Sequence, residues 1–326
     1  MRLADRWDRY WFGEASLVRL GAFRVVMMLT AAYAVFQHRD TLLVQVASGT
    51  PEYVHRAWNP IYSFQVLGVG TPGPGLASAL FTATLVAIAL AAAGLFTRAT
   101  CALAALLTWF ELGTVYSLGQ PHHDCIALVL GLFALPFAPS GARVSLDALL
   151  ARLRGRALPD TAAWAALPWR FTQATAALGY FFAGASKLAI GGWTWLNGYS
   201  LQAIMLHCHG DWTPFFARSV LACRVMSLGL VLVQATFPIA LFWRRSRWFY
   251  VPAAVSFHLL TWKTMDTGPY LTLWFTLASF VPLDQVPSFV RAHVTRGPIP
   301  GRVAWAAGIA AAAWFVAWLY VPVFAR

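Results

Sequence analysis

Long apolar stretches alternate with short polar or proline-rich breaks along almost the whole chain. Their lengths approach the twenty residues that a helix needs to cross a bilayer. In lipid the backbone must satisfy its own hydrogen bonds, so the pattern predicts an all-α fold: a polytopic transmembrane helical bundle. We read nine spans, at residues 17–37, 75–96, 99–118, 122–137, 170–188, 220–243, 247–262, 268–283 and 302–323. The fourth, seventh and eighth are short and would suit tilted partners or partial spans, which leaves eight as an alternative count. Residues 38–74 hold Pro51, Pro60, Pro72 and Pro74 and form a long connection with room for a partial helix or lid. Residues 145–156, "SLDALLARLRGR", predict an amphipathic surface helix with Ser145 as N-cap and Leu146, Leu149, Leu150 and Leu153 on one face.

Composition agrees with a membrane reading. Only 11% of residues are charged and 59% are hydrophobic, whereas soluble domains carry about 25% charged residues. We expect one transmembrane domain over 1–326 with no separate soluble domain. The opening "MRLADRWDRYWFGEASLVRL" lacks a signal peptide's apolar core and small-residue cleavage site, so the first apolar run is expected to be a retained span. Net charge is +12. With the N-terminus inside, fifteen basic residues fall on inner segments and five on outer ones. That asymmetry predicts N-in, and with nine spans C-out. It also explains the basic charge without nucleic acid, and puts the 145–156 helix on the inner surface against anionic lipid. Tryptophans near both ends of the spans fit an interfacial belt.

Chemistry is concentrated in a few intramembrane groups. The chain has two lysines, and one of them, Lys187, lies in "YFFAGASKLAIGGW" near the outer end of the fifth span. A charged lysine at mid-membrane costs about 3 kcal/mol. It can snorkel to the interface, or lose its proton and become a base. Tyr180, Ala183, Gly184 and Lys187 share a helix face, and the small residues there admit a neighbouring helix. Glu111, His122, His123, Asp124 and His258 fall at similar depth on the same side, none with an obvious partner in its own helix. They suit either a structural network or an outward-facing pocket for acid–base chemistry. Arg24, in the first span, must find a carboxylate, a carbonyl or the interface, and is read as structural.

Other motifs are weaker. "PHHD" and "HCHGD" offer ligand types that suit a metal, but adjacent helical histidines diverge and no second ligand pair follows, so no metal is predicted. Cys101, Cys125, Cys208 and Cys223 form no CxxC pattern, and a Cys208–Cys223 bridge is left open. HExxH, GxSxG, Walker and GxGxxG patterns do not occur.

"YFFAGASKL" followed by "WLNGYSL" resembles the active-site helix of vitamin K-dependent gamma-carboxylases and their bacterial relatives, the HTTM membrane proteins. "LGAFRVVMML", "PHHDCIALVLGLFALPFAPSGARVSLDALL" and "FHLLTWKTMDTGPYLTLWFTLASFVPLD" resemble further stretches of that family in the same order, over about residues 15–285. The resemblance implies a lyase of carboxylase/epoxidase type. Lys187 would be the base that deprotonates reduced vitamin K or another quinol. Oxygenation of that quinol makes a strong base, which lets carbon dioxide add to a glutamate side chain. His123 matches an assisting histidine and His258 a supporting one; Glu111 and His122 complete the expected catalytic set. Tyr180, Gly184 and Trp195 are expected to contact the cofactor. Lys187 and Trp195 stand further apart in sequence than in the carboxylase, and 1–326 holds no counterpart of the carboxylase's large lumenal domain. The implied partners are membrane lipid, a lipid-soluble quinone-like substrate and a secreted peptide or protein. The implied location is a bacterial inner (plasma) membrane, with the site open to the outer face. The alternatives are a non-enzymatic proton-coupled carrier or binding protein, or a membrane partner in secreted-peptide maturation.

Overall fold

Helices account for nearly all regular structure in the computed structural model, which describes residues 2–46, 51–119, 123–268 and 270–285. The chain divides into two compact units, Met1–Val281 and Pro282–Arg326. The first holds every helix discussed below, and the ninth expected span lies outside the described residues. Its principal helices are α1 (Leu3–Phe12), α2 (Leu17–Gln37), α3 (Pro74–Ala93), α4 (Thr97–Ser117), α5 (Ile126–Ala134), α6 (Leu146–Leu153), α7 (Leu167–Ser186), α8 (Val220–Thr236), α9 (Arg247–Met265) and α10 (Leu271–Thr276).

Three described helices are long and apolar enough to cross a membrane: α2, α3 and α4. The remaining expected spans are less uniform than their apolar patterns suggested. Apolar helix extends over Ile126–Phe137, Val220–Thr236 and Leu271–Phe280. The last is ten residues, about 15 Å at the α-helical rise, half a hydrocarbon core. Helices α7 and α9 have the length to span but a lower mean hydropathy than those three.

Arg24 organises one end of the bundle. It is fully buried in α2. Its Nη1 donates to the Ser140 carbonyl at 2.6 Å, and its Nη2 donates to the carbonyls of Val144 at 2.6 Å and Ala92 at 3.2 Å. Ala92 sits in the last turn of α3, where carbonyls lack intrahelical partners. Gly94 caps that helix with φ +71°, and a Cβ there would stand 2.4 Å from Ser145 Cβ and 2.9 Å from the guanidinium. Only glycine admits both that backbone angle and that contact.

The same knot starts two more helices. Asp147 accepts from the Phe96 and Thr97 amides at 2.9 and 2.8 Å and from Thr97 Oγ1 at 2.6 Å, at the N-terminus of α4. Ser145 accepts from the Ala148 amide at 2.9 Å and caps α6, as its sequence predicts. Leu146, Leu149, Leu150 and Leu153 are all exposed, so the apolar face of α6 is turned away from the protein. A two-residue antiparallel ladder, Ala15 opposite Ala162 and Ser16 opposite Thr161, joins the start of α2 to the segment leading into α7.

Burial alone would raise the Asp147 carboxyl, but hydrogen bonds from Thr97 and Phe96 and the charge of Arg24 outweigh it and hold the group below its ordinary range. Replacing Arg24 by Met leaves three carbonyls unsatisfied and should destabilise the fold by about 3 kcal/mol, read as a lower Tm in detergent, with Arg24→Lys intermediate. Since the folded Asp147 pKa is depressed, its contribution is complete above the unfolded value of about 3.9 and is lost as pH falls toward the folded one. Tm measured against pH should therefore drop less steeply on acidification in Asp147→Asn than in the parent.

Candidate functional site

Helix α7 enters with Pro168 in its first turn and buries Trp169, Thr172, Gln173, Ala176, Ala177, Tyr180 and Gly184 along one face. At its end the helix widens into a π-turn, Lys187–Gly191, closed by Gly192 at φ +49°. Such turns shift the helical register, and here the shift brings Lys187 and Trp195 together. Lys187 is half-buried. Its Nζ donates to the Ala183 carbonyl at 3.1 Å and lies 5.3 Å from the Trp195 ring centre. Trp195 is held in turn by its carbonyl, which accepts from Ser227 Oγ on α8 at 2.5 Å.

Lys187 borders two cavities. The first, of about 350 Å³, lies between α8 and α9 and is lined chiefly by aliphatic side chains, with Lys187, Trp195, Tyr180 and Gln234 on its wall. The second, of about 590 Å³, lies among α5, α7 and α9, with Lys187, Ser186, His258 and Tyr270 on its wall. Tyr180, Lys187, Gln234, Phe257 and Thr261 border both.

His258 is buried on α9 and meets Tyr180, whose hydroxyl is 2.9 Å from Nε2; the imidazole tautomer decides which of the two donates. The Tyr180 ring stacks on Phe237 at 4.3 Å, and the His258 ring lies 5.1 Å from that of Tyr270. A phenol and an imidazole are thereby presented to the cavity that holds the lysine amine. Among the described residues, no carboxylate forms an ion pair with Lys187.

The other expected site residues lie elsewhere. Glu111 is buried on α4, its carboxylate reached by Thr84 Oγ1 of α3 at 3.4 Å, and it is not among the residues lining either cavity. His122 and the side chain of His123 lie outside the described residues. The His123 backbone opens the short 3-10 turn His123–Cys125, and Ile126 and Ala127 just after it line the larger cavity. Gly184 serves helix packing: a Cβ there would stand 2.6 Å from the Ala235 amide nitrogen and 3.0 Å from Gln234 Cβ. In the "HCHGD" loop, Asp211 pairs with Lys263 at 3.2 Å. Cys208 and Cys223 are free thiols, so the bridge left open by their spacing does not form; Cys223 is buried while Cys208 is half-buried. Gln234, the one carboxamide in "LVLVQATF", was not among the expected site residues. An isolated amide in an apolar helix was the available signal.

These features define an integral membrane protein of helical type, with a half-buried lysine between two largely apolar cavities. The HTTM domain model matches residues 13–284, and the chain belongs to the HTTM family. No curated protein and no solved structure matches it.

Replacing Gly184 by Ala forces α8 away from α7, because the clash is with backbone. The expected outcome is a loss of about 1–3 kcal/mol of stability, visible as a lowered Tm in detergent.

Proposed function

We propose that Lys187 acts as a general base on a lipid-soluble, quinol-type molecule, at a site open to the outer face of a bacterial inner membrane. The observation that carries this reading is the placement of one amine, without a carboxylate partner among the described residues, at the junction of two largely apolar cavities. The residues fit such a molecule. The aliphatic cavity suits a hydrophobic ring and tail, and Lys187, Gln234 and the Tyr180–His258 pair offer hydrogen-bonding groups around it. A reduced quinone supplies, when bound, two electrons and a weakly acidic hydroxyl. A neutral Lys187 Nζ takes up that proton, and the face of Trp195 stabilises the resulting ammonium. Tyr180 and His258 are placed to carry a proton along the wall of the larger cavity. Carboxylation of a glutamate on a secreted peptide or protein is the furthest extension of this chemistry and would need oxygen and carbon dioxide.

A second reading is that the protein binds or carries a hydrophobic molecule without transforming it. The aliphatic walls of the smaller cavity favour it, since binding alone needs little more than apolar surface.

The test is purified protein given reduced quinone and air, with quinone epoxide as the readout. The parent should form epoxide. Lys187→Met should lower the rate by about 10²–10⁴-fold at unchanged Tm, and Lys187→Arg should do the same, because a guanidinium is not a neutral base at working pH. Epoxide formation retained in Lys187→Arg, or absent from the parent, would count for the carrier reading.

A further inference from the structure

Several buried polar atoms in the described residues have no hydrogen-bond partner, among them atoms of Trp11, Thr108, Asp124, Gln173 and Gln234. Of all such atoms, only Gln234 Oε1 belongs to a residue that lines the cavities, and Gln234 lines both. The residue is 4% exposed. A buried carboxamide oxygen without a partner is costly, and such groups are retained where something else satisfies them.

The neighbouring polar groups are already engaged. Tyr180 and His258 hydrogen-bond to each other, and Lys187 Nζ donates to the Ala183 carbonyl. The close approach of α8 to α7 at Gly184 sets Gln234 on the wall the two cavities share. A half-turn of its terminal torsion exchanges oxygen and NH2, so the group can accept or donate. On the α8 side of the smaller cavity, Val225, Gly229 and Val233 offer an apolar lining with no hydrogen-bonding side chain.

We infer that Gln234 is the recognition group for the polar head of a lipid-soluble ligand. The head, a hydroxyl or carbonyl, bonds the carboxamide beside Lys187, and the hydrocarbon tail lies in the smaller cavity between α8 and α9. The inference deepens the quinol reading and rests on it only in placing the head beside the lysine. Gln234 is a specificity-determining residue here, and the proton transfer belongs to Lys187.

The experiment uses the full chain in nanodiscs and two probes: a pyrene-bearing long-chain alcohol and the same molecule without its hydroxyl. Binding is read over empty nanodiscs. The parent should prefer the alcohol by about tenfold, the worth of one good hydrogen bond. Gln234→Met, close to isosteric, should abolish the preference while hydrocarbon affinity and Tm stay unchanged. Equal affinities in the parent would overturn the proposal. So would a preference that survives in Gln234→Met and vanishes in Lys187→Met, since the amine alone would then read the head. Loss of hydrocarbon binding in both Gln234→Met and Gln234→Leu would make the residue a structural wall and also overturn it. A reduced decyl-benzoquinone forms a separate arm. If it fails to bind while the alcohol preference holds, the quinol reading falls and the Gln234 assignment stands.

Discussion

One guanidinium buried among apolar helices constrains much of this structure. Arg24 cannot lose its charge as a lysine can, so it must be surrounded by acceptors. It takes them from backbone carbonyls at the end of α3 and in the turn before α6. Each is a group that would otherwise lack a partner. The position of Arg24 therefore fixes where α3 stops and where the chain turns back. Asp147, three residues beyond Val144, then caps the start of α4. One charge and one carboxylate, not directly paired, thus hold four helices in register through the main chain.

The opposite end of α7 is built on another basis. Among the described residues, no buried ion pair holds it. Small residues let α7 and α8 approach, and the π-turn and Trp195 set the lysine amine beside the space between helices. Buried polar groups consequently sort into two kinds. Arg24 and Glu111 meet their partners within the protein and are not among the residues lining the cavities. Lys187, Gln234, His258 and Tyr180 border cavities. Membership of the HTTM family shows the kind of protein but not its chemistry, because function resides in the site.

The helical fold, the membrane class and the surface helix at 146–153 were legible in the residue pattern, since helical period, apolar run length and capping residues are local properties. The role of Arg24 was legible as a demand for carbonyls or a carboxylate, and only the fold showed which. Lys187 was legible as an anomaly, because a lysine within an apolar run carries an energetic penalty that calls for a reason.

Equal depth along the chain did not mean contact. Glu111 and His258 fall at similar heights in their apolar runs, yet one meets Thr84 and the other Tyr180. Helix azimuth and packing decide such pairings, and both depend on residues distant in sequence. The π-turn that joins Lys187 to Trp195 and the approach at Gly184 that places Gln234 are likewise tertiary outcomes. The sequence by itself determined which residues are expensive to bury in lipid, because that expense is a property of each side chain. Which of them share a cavity was decided only by the tertiary structure, because a shared cavity depends on the spacing of at least three helices at once.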